Sequence, residues 1–165
     1  MASILVKLFE HNRWANLRAA EACAGLTDAQ LDATVPGTAG TVRVTLMHVA
    51  GGEQRYVMLL SGRQPTYNER DGWPGAAALR RTLDESGRAL ADLAGRADPD
   101  EVLRGERGGQ PYELPAMIVY TQAINHATEH RSQIATILTQ QGVEPPDFQA
   151  WAWLDELSGP TPTGQ

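Results

Sequence analysis

The sequence has almost no cysteine, no apolar run long enough to cross a bilayer and no concentration of positive charge. A single cysteine, Cys23, in 165 residues cannot close an internal disulfide and suits a reducing compartment. It reads as a small buried residue of the first helix. No segment approaches the roughly 20 apolar residues of a membrane-spanning helix. The opening MASILVKLFEHNRW interrupts its apolar run with Lys7 and follows it with Glu10, which leaves no signal-peptide core. The formal charge is −6 with acids and bases intermingled, so there is no electrostatic footprint for a nucleic-acid backbone. These absences predict a cytoplasmic, soluble protein with neither nucleic-acid nor membrane partners. The length predicts one domain, residues 1–157, with a disordered tail at 158–165.

What is present is helical spacing. Ile4, Leu5, Leu8, Ala15, Ala19 and Ala22 recur at intervals of three and four, predicting a helix from Ser3 to Ala24 that stops at Gly25. Thr27 and Gln30 form a capping-box pattern opening a short turn, Asp28 to Ala33. A second long helix is predicted from Val42 to Leu60 behind a Thr41 cap, and a third from Gly75 to Gly95, with a loop between them. Residues 98–114 are rich in turn formers and fit a small hairpin across Arg107-Gly108-Gly109. Pro115 suits the first position of a fourth helix running to Gln141. A short amphipathic helix over Asp147–Leu157 closes the chain. The pattern predicts an all-α fold, a four-helix bundle with an additional C-terminal helix.

The fourth helix is apolar on two faces. Val119, Ala123, His126, His130 and Ile137 share one stripe, and Met117, Tyr120, Ile124, Ala127 and Leu138 another. A helix apolar on both sides is central in its bundle or covered by a partner, which points towards a homodimer unless the C-terminal helix does the covering.

Only four histidines occur in the chain, and two of them, His126 and His130, stand one helical turn apart in INHATEHRSQI. An imidazole in apolar surroundings needs a partner, and two on one face can share a metal ion. The other two are His11 and His48. His48 lies in LMHVAGGEQ, and Gly51 and Gly52 flank it on the same helix. Mid-helix glycines cost about 1 kcal/mol each relative to alanine. They fit close helix contact, or room beside a ligand. His11 sits in the polar run EHNRWAN and is not expected to bind metal. Spacing therefore admits a His48–His126–His130 site, whose three ligands would leave positions open for a substrate, or three hydrogen-bonded core histidines. HATEH also fits the inverted zinc-protease pattern H-x-x-E-H, with Glu129 as general base. Glu53, five residues past His48, points away from it on an ideal helix and is not assigned a catalytic role.

Three runs carry a family resemblance: HNRWAN (11–16), LDATVPGTAGTVRVTLMHVAGGEQ (31–54) and INHATEHRSQIATILTQQGVEPP (124–146). Together they resemble the DinB-like (DinB/YfiT-like) family of metal-dependent proteins. The distinctive feature is a histidine in the second helix with H-x-x-x-H-R in the fourth. The resemblance implies a four-helix bundle, often dimeric, that binds a divalent metal ion, zinc or nickel, through His48, His126 and His130. It further implies a small-molecule substrate, with related branches acting as transferases and isomerases dependent on low-molecular-weight thiols such as mycothiol, bacillithiol or glutathione. The chain departs from its relatives at Glu129, where another histidine is frequent. Arg131 follows the last ligand, as in the family, and reads as a structural residue pairing with a carboxylate. The functional expectation is a metal-dependent, thiol-using transferase. The alternatives are a metal-dependent hydrolase and a non-catalytic, stress-related metal-binding bundle.

Overall fold

Most helix ends fall where the sequence supplies a cap. In the computed structural model, which describes residues 3–159, the Ser3 side chain accepts the Val6 N–H at 3.2 Å to open α1 (Ile4–Ala24). The reciprocal Thr27–Gln30 capping box opens α2 (Asp28–Leu31). Thr41 caps α3 (Val42–Ser61), which ends at Gly62 in the left-handed conformation. A 3-10 turn, Glu69–Asp71, precedes α4 (Ala76–Ala94). Strands β1 (Val102–Arg107) and β2 (Gln110–Pro115) form an antiparallel hairpin. Its two-residue turn is Gly108-Gly109, with φ of 59° and 78°, which side chains would resist. Helices α5 (Ala116–Gln140) and α6 (Ala150–Ser158) complete the chain.

Several boundaries differ from the sequence expectation for local reasons. Helix α2 stops two residues early because the Ala33 carbonyl accepts the Val42 N–H and turns the chain into α3. The loop before α4 contains the unexpected 3-10 turn, capped by Asn68 accepting the Arg70 N–H. Pro115 ends β2, and α5 starts one residue later, its Ala116 N–H tied to the Glu101 carbonyl. Asp147 accepts the Gln149 N–H in a turn, which delays α6 to Ala150. The expected disordered tail lies, from residue 160 on, outside the described residues. Among the described residues, no helix is long and apolar enough to cross a membrane.

The four long helices form a ring in which α1 packs on α4, α4 on α3, α3 on α5 and α5 on α1. Cross-helix pairs give the directions. Arg13 meets Asp84 and Glu21 meets Arg80, so α1 and α4 are antiparallel. Phe9 meets Tyr120 and Asn16 meets Arg131, so α1 and α5 are parallel. The links from α1 to α3 and from α4 to α5 therefore cross the bundle diagonally, where α2 and the hairpin are found.

Both apolar stripes of α5 are buried within this chain. Val119, Ala123 and Ile137 are buried on one side, and Tyr120, Ala127 and Leu138 on the other, while Met117 stays half exposed. Helix α6 does not cover this face; it lies against α1. The double stripe thus reports the place of α5 between α1 and α3, and the homodimer expectation keeps only the resemblance behind it.

The core has two apolar halves separated by a polar layer. Leu46, Leu79, Leu83, Ile134 and Ile137 fill one half. Phe9, Val57, Leu90 and Tyr120 fill the other. Between them the Glu53 carboxylate, wholly buried, accepts Asn12 Nδ2–H at 3.0 Å, Asn16 Nδ2–H at 2.8 Å and Ser86 Oγ–H at 2.6 Å. Arg131 donates to the Oδ1 atoms of the same two asparagines and to Thr128 Oγ1. Arg131 is structural, and its link to a carboxylate runs through Asn12 and Asn16, which bridge it to Glu53. Each asparagine spends both ends of its amide, so each of the four long helices contributes to one connected network.

Burial pushes the Glu53 carboxyl up to about 7, against the Ser86 hydroxyl, the Arg131 charge and the two amides, all of which favour the charged form. A carboxyl raised in this way holds more protons folded than unfolded between about 4.5 and 7, so stability should fall as pH rises through that window. The loss is on the order of 3 kcal/mol. Glu53→Gln has nearly the same shape and does not titrate. Urea denaturation of both proteins with metal chelated, at pH 4.5 and pH 8, should therefore show the variant gaining on the wild type as pH rises. An unchanged difference would contradict the assignment.

Candidate metal centre

His48 comes from α3, and His126 and His130 from the antiparallel α5. Their donor atoms lie within 4.8 Å of one another. The ring centroids are 4.5 Å apart for His126–His130, 4.8 Å for His48–His126 and 5.0 Å for His48–His130. The i, i+4 spacing puts the two α5 rings on one face, and α3 brings the third across the helix interface. Among the described residues, no carboxylate or thiol joins the group.

Two of the rings are oriented by acceptors that leave little choice of tautomer. Glu69 Oε2 lies 2.8 Å from His48 Nδ1, and a carboxylate only accepts, so Nδ1 carries the proton. His130 Nδ1 lies 2.9 Å from Gln133 Oε1, which also accepts the Ala39 N–H at 3.2 Å and is thereby identified as the carbonyl end. In both residues Nε2 keeps its lone pair for an ion. Burial pushes the Glu69 carboxyl up, but the His48 hydrogen bond and the Arg55 charge more than offset this and hold it below the usual carboxylate range.

His126 is placed by packing instead. Its ring lies over Gly52, where an added Cβ would stand 2.7 Å from Cε1 and 3.2 Å from Nδ1. Its Nδ1 is buried and has no hydrogen-bond partner among the described residues. Burial, followed by the neighbouring His130, His48 and Arg55, pushes its pKa down to about 4, so the ring is neutral with a free lone pair at neutral pH. Three convergent imidazoles, an orphaned ring nitrogen and a glycine cradle fit a divalent ion. Imidazole donors suit zinc, nickel, copper and iron alike.

The remaining sequence candidates lie elsewhere. His11 Nε2–H donates to the Phe148 carbonyl at 2.9 Å, and its ring sits near Trp14 and Trp153, where it ties the C-terminal segment to α1. It is outside the cluster, as expected. Glu129 is exposed, and the third member of the cluster is a histidine, so the acidic third ligand of the inverted zinc-protease pattern is missing among the described residues. Glu53 points away from His48, as its helix position predicts, and its carboxylate is buried in the core. Cys23 is buried, and burial pushes its thiol up to about 12. Sequence reasoning missed Glu69 and Gln133. Gln133 had a signal, lying three residues beyond His130 on the same helix. Glu69 had none, coming from a loop 21 residues past His48.

A model of the DinB family matches residues 1–158, and the chain belongs to that family. Among solved structures, a DinB-like protein from Bacillus cereus is 17% identical with a TM-score of 0.64. The match covers 87% of this chain and 94% of that one, and at this identity it speaks for the fold. No curated protein matches the sequence.

The Gly52 cradle is testable. Gly52→Ala should lower zinc affinity, measured by chelator competition, by about tenfold or more, equivalent to at least 1.4 kcal/mol, with helicity unchanged. Gly51→Ala should do less, since the atoms nearest its Cβ would be Arg55 Nη1 at 3.2 Å, the end of a flexible side chain, and Glu69 at 3.5 Å, an ordinary contact. Equal affinities in wild type and Gly52→Ala would contradict the cradle.

Proposed function

We propose that this DinB-family chain is a metal-dependent enzyme that uses His48, His126 and His130 as ligands and acts as a low-molecular-weight-thiol-dependent transferase. The observation that carries the metal assignment is the convergence of three imidazoles, two with Nδ1 already engaged and one with a buried, unpartnered nitrogen. Three protein ligands suit a catalytic rather than a structural site, because positions remain for an exogenous group. A bound divalent ion would supply Lewis acidity, lowering the pKa of a thiol so that it reacts as a thiolate near neutral pH.

The protein's own contribution is orientation. Glu69 and Gln133 hold two rings, Gly52 admits the third, and His48 and His126 stay partly open to solvent on the α3–α5 side of the bundle. The chain's only cysteine is buried with its thiol protonated, so the thiol of this reading is exogenous. Thiol dependence draws on the likeness to thiol-using branches of the family, and zinc or nickel on the same source. The second reading is a hydrolase, with water as nucleophile at the same site. It needs only a water at the open position beside the partly exposed His48 and His126.

Purified protein should bind one divalent ion per chain, and His126→Ala should lose it while keeping its helical circular dichroism. The core rests on apolar burial at about 25 cal/mol per Å², which one imidazole does not supply. Global unfolding of His126→Ala would make the metal structural, and retained binding would exclude His126 as a ligand. Calorimetric titration with glutathione should show binding to the metal-loaded form and none to the metal-free form. Turnover of an activated ester without any thiol would favour the hydrolase.

A further inference from the structure

We propose that Glu69 is a positioning residue for His48: its carboxylate, braced by Arg55, holds the imidazole with Nε2 turned to the metal site. The proposal rests on the three-histidine reading and extends it to a loop that carries no ligand.

Four observations converge on this role. Glu69 Oε2 lies 2.8 Å from His48 Nδ1, while Arg55 Nη1–H donates to its other oxygen, Oε1, at 2.8 Å. Both carboxylate oxygens are therefore spent, and the group is held from two directions on the same helix, α3. Glu69 is partly buried, whereas its neighbours Asn68, Arg70 and Asp71 are exposed, so the 3-10 turn points this one side chain inward. Gly51 lies beneath it. A Cβ there would stand 3.5 Å from Glu69 Cβ and Cδ, an ordinary contact distance, and 3.2 Å from Arg55 Nη1, so the turn packs directly against α3. Of the two glycines, only Gly52 is required by a close approach, that of the His126 ring.

The chemistry follows from tautomerism. A neutral imidazole binds metal through whichever nitrogen lacks the proton, and a fixed acceptor at Nδ1 decides the matter before the ion arrives. Arg55 neutralises much of the carboxylate's charge, so orientation outweighs charge in this arrangement. His130 supports the same conclusion, since the neutral amide oxygen of Gln133 occupies the corresponding place on its Nδ1. An amide at position 69 offers a single acceptor and would turn its N–H groups towards Arg55, so it should serve His48 once Arg55 is removed as well.

The test compares Glu69→Ala, the double variant Arg55→Ala/Glu69→Gln and, as a control in the same exposed turn, Asp71→Ala. Zinc affinity by chelator competition should fall roughly 10- to 100-fold in Glu69→Ala and recover most of that loss in Arg55→Ala/Glu69→Gln. Asp71→Ala should stay within about twofold of wild type, its charge being screened by solvent. In the metal-free proteins, long-range 15N–1H correlation spectra should place the His48 proton on Nδ1 in wild type and in Arg55→Ala/Glu69→Gln. In Glu69→Ala it should move to Nε2 or be shared between the nitrogens. Wild-type affinity or an unchanged His48 tautomer in Glu69→Ala would overturn the proposal, as would an Arg55→Ala/Glu69→Gln protein no better than Glu69→Ala. If the wild type binds no zinc, or His126→Ala binds it equally well, the three-histidine reading itself fails. Those results are separate from an unaltered Glu69→Ala.

Discussion

The register between α3 and α5 is the constraint on which the rest of this structure depends. Leucine and isoleucine burial is non-directional and would tolerate some sliding of one helix along another. The Glu53–Asn12–Asn16–Arg131 network would not, because each displaced partner leaves a buried charge or amide unsatisfied, at several kcal/mol for a broken buried ion network. Glu53 follows Gly52 and Arg131 follows His130. Successive residues on a helix point about 100° apart, so each pair presents one member to the core and the other to the metal site. The same register that satisfies Arg131 thereby seats His126 over Gly52 and brings His48 against both α5 rings.

The site itself balances two opposing demands. Imidazoles must be dry enough to remain neutral, which burial achieves at His126, and each must still have its polar atoms satisfied. Acceptors from outside the bundle core do this for His48 and His130: Glu69 from the loop before α4, and Gln133 from α5 itself. Arg131 is buried beside the site, yet burial lowers its pKa only to about 10, so it stays cationic at neutral pH, bridged by Asn12 and Asn16 to Glu53.

Much of this was legible in the sequence because it is local. Caps at Ser3, Thr27 and Thr41, the hairpin at Gly108-Gly109 and the paired histidines each depend on residues within one or two turns. The three-histidine grouping was also within reach, since with His11 set aside in a polar run only His48 was left for the third place. The polar layer was not legible. Asn12 and Asn16 stand at i, i+4, but they sit in a stretch that reads as a polar edge, and their partners come from three other helices. Glu69 was hidden for a similar reason, since nothing in a loop sequence says which side chain its turn will aim inward. The two stripes of α5 were read correctly as double burial, while the cover turned out to be α1 and α3 of the same chain.

X-ray absorption at the zinc edge of metal-loaded protein tests the central claim most directly. The multiple-scattering pattern should require three imidazoles with nitrogens at about 2.0–2.1 Å, accompanied by light atoms from solvent and no sulfur. A fit satisfied by two imidazoles or fewer, or one that demands a protein carboxylate or thiolate as a ligand, would contradict the account.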